Sequence, residues 1–126
     1  MVLYRPIGVK ELELIAATAF RAFPPRLAWQ PYFYPVLTRD YAISIARDWN
    51  TKDPASGYAG FVTEFELEQR YADRWPIQQV GAAMHKELWV PAEELAEFNR
   101  HIVGAIRVVE SFYGEQFVGE IPRPAS

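Results

Sequence analysis

Apolar and polar residues alternate over Phe61-Val62-Thr63-Glu64-Phe65-Glu66-Leu67-Glu68, with Phe61, Phe65 and Leu67 on one face and Glu64, Glu66 and Glu68 on the other. That period of two predicts a half-buried β-strand. Leu3-Tyr4-Arg5, ended by Pro6 and Gly8, reads as a strand that opens the fold. Leu88-Trp89-Val90 and the β-branched, aromatic run over residues 105–113 predict two more. Residues 32–37 read as a strand whose Pro35 places it near an edge or a bulge.

Elsewhere the period lengthens to three and four. Leu12, Ile15, Ala16, Ala19, Phe20 and Phe23 fall on one side of a helix expected over residues 10–23, which Pro24-Pro25 would end. Thr38 suits an N-cap, with Asp40 in the first turn of a helix running to about Trp49 and Ala42, Ile45, Ala46 and Trp49 on one face. Pro91 falls at the first position of a third helix, residues 92–102, with Leu95, Phe98 and Ile102 inward and Gly104 as its C-cap. Residues 26–35 read as an extended surface segment and residues 50–60 as a loop. Residues 69–75 are equally a short helix or a turn, and the tail from Gly114 is expected to be loosely held. Strands and helices mix without a regular βαβ period. The expected class is α+β, a small, mixed, mostly antiparallel split sheet with two to four helices in one domain over residues 1–126.

Composition narrows the function. The 126 residues are 50% hydrophobic and 15% aromatic, enough for one core. Thirteen Lys+Arg against 16 Asp+Glu leave a formal charge of -3, so no general positive field draws a phosphate backbone and no strong nucleic-acid signature is present. Without cysteine there is no disulfide framework, no Cys-based zinc site and no thiol nucleophile. His85 and His101 have no partner at metal-ligand spacing, and no metal is expected. Neither phosphate-loop motif nor a GxSxG turn occurs. The longest apolar stretch, residues 14–20, is far short of the about 20 residues a membrane helix needs. The start, Met1-Val2-Leu3-Tyr4-Arg5-Pro6, lacks the regions of a signal peptide. A soluble, cytoplasmic protein without a membrane partner is the expectation.

Two residues stand out chemically. Glu87, in His85-Lys86-Glu87-Leu88-Trp89-Val90-Pro91, lies at the mouth of an apolar strand, where it is either a solvated strand start or a cleft carboxylate tuned by Trp89. Arg5 sits inside an apolar strand and needs a partner if its face is covered. An internal salt bridge and a bound phosphate account for it equally well.

Together these segments resemble the ADP-ribosyltransferase-like fold. Leu3-Tyr4-Arg5 resembles the family's first core strand, with Arg5 on the position that contacts the dinucleotide's phosphates or ribose. Tyr32-Phe33-Tyr34-Pro35-Val36-Leu37-Thr38, followed by Tyr41-Ala42-Ile43-Ser44-Ile45-Ala46, is similar to the second segment, a strand with an aromatic and a hydroxyl residue and then an alanine-rich helix. His85-Lys86-Glu87 leading into Leu88-Trp89-Val90-Pro91 resembles the third, with Glu87 on the catalytic position. His85 stands where the family usually has the acceptor-linked Glu or Gln, and no Ser-Thr-Ser motif follows the second strand. At whole-chain level the sequence also resembles short bacterial proteins labelled ADP-ribosylation/crystallin J1, through blocks such as Phe23-Pro24-Pro25-Arg26-Leu27 and Phe98-Asn99-Arg100-His101-Ile102.

The resemblance implies NAD as substrate and an acceptor of unknown identity. It places Glu87 and His85 as catalytic residues, and Arg5, Tyr4, Tyr34 and Thr38 around the dinucleotide. Glu87 would stabilise the oxocarbenium-like state formed as nicotinamide leaves, Arg5 would hold the pyrophosphate, and Tyr34 would stack on nicotinamide. An inactive member of the fold that binds a nucleotide or a protein is the alternative. A wholly different one is an interaction domain whose aromatic segment, residues 26–36, covers a partner.

Overall fold

A computed structural model describes residues 1–119. In chain order it contains β1 (Val2–Ile7), α1 (Val9–Ala16), β2 (Tyr32–Phe33), α2 (Arg39–Asp48) and β3 (Ala59–Leu67). There follow α3 (Gln69–Ala72), β4 (Ile77–Gln79), β5 (Lys86–Leu88), β6 (Val90–Pro91), α4 (Leu95–Arg100) and β7 (Ile102–Tyr113). The class is α+β, as the mixed periodicity predicts, and the strand pairing is antiparallel throughout.

β3 is the centre of a three-stranded sheet in the order β1-β3-β7. Its alternation works as expected: Phe61, Phe65 and Leu67 are buried, Glu66 is exposed and Glu64 is half-buried. A second pair, β4 with β5, meets this sheet through the single residue Val36, which bridges Tyr4 on one side and Glu87 on the other. The third pair, β2 with β6, holds Phe33 opposite Val90. Pro35 is what limits strand 32–37 to two short contacts, because it cannot donate to a ladder.

Apolar residues cover both faces of the central sheet. On one, Leu3, Ile7, Phe61, Phe65 and Leu67 pack with Leu12 and Ile15 of α1, Leu95 and Phe98 of α4, and Phe20, Phe23 and Phe33. On the other, Tyr41, Ala42 and Ala46 of α2 cover Val36 and Val62. A side chain at Gly60 would strike the Ala46 carbonyl, so glycine lets α2 lie directly on β3.

Several boundaries differ from expectation. α1 ends at Ala16, not Phe23. The Thr18 hydroxyl accepts from the N–H groups of Arg21 and Ala22 and donates to the Ile15 carbonyl, while the Phe20 N–H returns to that same carbonyl. Ala19 and Phe20 adopt positive φ, 59° and 60°, so the chain reverses. Phe20 and Phe23 reach the core through this reversal, and Asn99 then fixes Phe23 with hydrogen bonds of 2.9 and 3.0 Å to its backbone. The buried face of α2 is also rotated: Tyr41 is inside, whereas Trp49 is 60% exposed.

The loop 50–60 carries two 3-10 turns, Asn50–Lys52 and Pro54–Ser56. Leu88-Trp89-Val90 is two strands rather than one, because the chain changes partner at Trp89: Leu88 pairs with Ile77 of β4 and Val90 with Phe33 of β2. The third helix is a 3-10 turn, Ala92–Glu94, followed by α4, which stops at Arg100. Ile102 therefore begins β7. Gly104 is no C-cap; its φ of +76° serves an irregularity in β7 between the Glu64–Arg107 and Glu66–Val103 pairs. The expected tail is anchored at its start, where the Gly114 N–H donates to the Tyr58 carbonyl and the Phe117 ring packs at a tilt against Tyr113. Residues 120–126 of that tail lie outside the described residues.

Candidate functional site

Strand register defines the site. Glu87 lies opposite Gln78 and Val36, Val36 opposite Tyr4, Tyr4 opposite Glu64, and Glu64 opposite Arg107. Directly opposed residues project from the same face, so this row runs across the sheet on the side that α2 covers. Arg5 is one residue along from Tyr4 and projects from the opposite face.

Glu87 is anchored by two neutral donors. The Tyr41 hydroxyl donates to Oε2 at 2.6 Å and the Trp89 indole Nε1–H to Oε1 at 2.9 Å. No cation pairs with it among the described residues. Tyr41, 9% exposed, has its phenol pushed up to about 12 by burial first and then by the Glu87 carboxylate that accepts its hydrogen bond. The expected cap is present, since the Thr38 hydroxyl accepts from the Tyr41 N–H at 3.2 Å and so sets the first turn that delivers Tyr41. His85 stacks on Tyr41 with ring centres 4.4 Å apart and planes 17° apart.

Trp89 carries the site outward. Its ring meets Tyr34 at 6.4 Å and Tyr32 at 6.3 Å, and the two tyrosines lie 6.0 Å apart. Tyr4 stands in the middle of the row, between Val36 and Glu64, with its phenol raised by burial and by the neighbouring Glu64. Arg107 and Tyr4 in turn hold the Glu64 carboxyl below the ordinary range despite its partial burial.

Arg5 belongs to a different environment. It is 9% exposed, its Nε and Nη2 donate to the two Glu11 oxygens at 2.6 and 3.0 Å, and its guanidinium lies 4.6 Å from the centre of the Phe33 ring. Beside it, where β1 runs past its contact with Val36, opens a cleft of about 480 Å³ that Arg26, Trp49, Asn50 and Ser56 also line. Burial and the charge of Arg5 lower the pKa of Arg26, whose Nε donates to the Tyr32 carbonyl at 2.9 Å. Asn50 donates to Ser56 while its own Oδ1 is buried without a partner.

Of the residues singled out in the sequence, the structure gathers Glu87, His85 and Thr38 around Tyr41, links Tyr34 to them through Trp89, and sets Tyr4 in the same row. It does not bring Arg5 to Glu87. Tyr41 and Glu11 were missed as partners. The N-cap at Thr38 fixes Tyr41 three residues on, and Glu11 lies one turn into the helix that follows Arg5, so both had a positional signal but no chemical one. Among the described residues no three His, Cys, Asp or Glu side chains gather as a metal site, and no helix is long and apolar enough to cross a membrane. No protein-family model matches the sequence, and no curated protein or solved structure matches the chain.

Proposed function

We propose that the protein is an ADP-ribosyltransferase-like enzyme that cleaves the nicotinamide–ribose bond of NAD and passes ADP-ribose to an acceptor. The observation that carries this reading is the Glu87 carboxylate, held by the neutral Tyr41 hydroxyl and Trp89 indole and left without a cation. A carboxylate oriented this way keeps its full charge for positive charge that develops during a reaction. Heterolysis of a glycosidic C–N bond sends the electron pair to the leaving nitrogen and leaves an oxocarbenium-like ribose, which is the charge Glu87 is placed to stabilise.

The pyrophosphate falls to the cleft beside β1. Arg26 offers a guanidinium without a carboxylate partner, and Arg5 keeps its Nη1 free of Glu11. Tyr34 and Trp89 supply the aromatic wall. A second reading, a binding module that performs no cleavage, is favoured by one fact: Glu11 already satisfies Arg5 from within the fold.

The test is nicotinamide release from millimolar NAD by the purified protein and by Glu87→Gln and Glu87→Ala. Wild type is expected to release nicotinamide, with both variants slower by a factor of about 100 or more while still binding NAD. Release that is absent in wild type, or unchanged in Glu87→Ala, overturns the transferase reading. An NAD-dependent rise in melting temperature without release would favour the binding module.

A further inference from the structure

The cleft beside β1 is apolar as well as cationic. Its walls carry Leu14 of α1, Leu27 of the segment before β2 and Trp49 at the end of α2, which are 41%, 53% and 60% exposed. Three elements far apart in sequence thus leave large apolar side chains in water at one concavity of about 480 Å³, a size that holds a small organic molecule. Scattered singly, such residues would need no explanation; gathered around a cleft, they mark a place for an apolar group. The exposure of Trp49 acquires a reason here, since the pattern along α2 expects that ring inside.

The charge of the cleft narrows the ligand further. Arg5, Lys10 and Arg26 line it together with Glu11 and Asp53, an excess of one positive charge. Glu11 is taken by Arg5 through two hydrogen bonds, Asp53 accepts from the Ser56 hydroxyl at 2.7 Å, and Lys10 is exposed to screening water. Arg26 is half-buried and donates through Nε to the Tyr32 carbonyl, but among the described residues nothing accepts from its Nη1 or Nη2. Burial and the charge of Arg5 both oppose its ionisation, a penalty that an anion at its free edge would relieve. A carboxylate brings one charge and two oxygens, which balances the excess and fits the two free nitrogens.

We propose that this cleft binds a small amphipathic carboxylate, with its anionic end on Arg26 and its apolar body against Leu14, Leu27 and Trp49. Aromatic and medium-chain aliphatic acids share that chemistry. The inference does not rest on NAD cleavage. A dinucleotide whose pyrophosphate met the same cations would compete with the acid, so binding is measured without NAD.

The test is calorimetric titration of the full chain with naphthylacetate and with octanoate. Acetate lacks the apolar body, and naphthylethanol and octanol lack the charge; these are the controls. At least one acid is expected to bind saturably at submillimolar concentration, with every control at least about tenfold weaker. Arg26→Gln should weaken the acid at least about tenfold, and Trp49→Ala at least about threefold. Tighter naphthylacetate would identify an aromatic acid as the source, and tighter octanoate an aliphatic one. Neither acid saturating, a control binding as tightly as its acid, or either folded variant binding as wild type would overturn the proposal. Melting curves run in parallel show whether each variant is folded, and Trp49→Ala, a surface change, keeps the test decisive if Arg26→Gln is unstable. A protein that binds the acid but releases no nicotinamide from NAD would sink the transferase reading and leave this one standing, and release without acid binding would do the reverse.

Discussion

Tyr4 and Val36 exchange both backbone hydrogen bonds, at 2.9 and 2.8 Å. On its other side Val36 faces Glu87 without a backbone bond of its own, and its two neighbours make the join: Leu37 N–H donates to the Lys86 carbonyl at 3.0 Å and Leu88 N–H to the Pro35 carbonyl at 2.9 Å. Residues 35–37 thus hold the two sheet halves in register and set Glu87 in line with Tyr4. Val36 is buried and packs beneath Tyr41, so its side chain also supports the ring that anchors Glu87. Val36→Ala is expected to cost about 2 kcal/mol in urea unfolding, from two lost methyl groups and a residual cavity. A change below about 0.5 kcal/mol would show that the join does not depend on this packing.

Arg5 and Glu11 form the most enclosed ion pair, with two hydrogen bonds between them. Arg5→Ala is expected to destabilise the protein by about 2–3 kcal/mol, less than for a fully buried pair because Glu11 still meets solvent. Arg5→Lys should recover little, since an ammonium cannot reproduce the two parallel bonds. The double change Arg5→Met with Glu11→Leu should recover most of the loss, because it leaves neither charge alone. Urea unfolding of the four proteins checks this, and a double variant less stable than Arg5→Ala would refute it.

How much was legible in the sequence follows from which forces act locally. β3 was readable because alternation is a direct record of a sheet with one covered face, and the N-cap at Thr38 because capping involves only neighbouring residues. The end of α1 was not, because Leu12, Ile15, Phe20 and Phe23 all do face the core, yet Thr18 turns the chain between them. β4 was invisible because Ile77-Gln78-Gln79 is ordered by its partner β5 and carries little pattern of its own. At the candidate site, Glu87 stands out in the sequence from its place before an apolar strand, while its separation from Arg5 does not. Register across Val36 settles that relation, and register lies between strands far apart in sequence.

The Thr18 turn makes its own prediction. Thr18→Ala removes an acceptor shared by two backbone N–H groups and should cost about 1–2 kcal/mol. Ala19 is exposed at φ 59°, so Ala19→Gly relieves left-handed strain and should raise stability by about 0.5–1 kcal/mol. The two changes shift the melting temperature in opposite directions. A loss of stability in Ala19→Gly would mean that the helix continues past this point in solution.

Tyr41 links the site to pH. Its phenol titrates at about 12 in the folded protein, because burial and the Glu87 charge both oppose a second anion, against about 10 for an exposed tyrosine. The fold therefore retains a proton that the unfolded chain gives up first. That contribution to stability is complete below about pH 10 and is lost as pH rises through about 12. Tyr41→Phe should remove this part of the alkaline decline, and with it the last step in the tyrosinate absorbance titration. At neutral pH the same change leaves Glu87 Oε2 without its donor and should cost about 1–2 kcal/mol. An absorbance titration that keeps its last step in Tyr41→Phe would show that the phenol is not held by Glu87. The carboxylate would then lack one of the two donors that orient it, and the case for Glu87 as the group facing a developing cation would weaken with it.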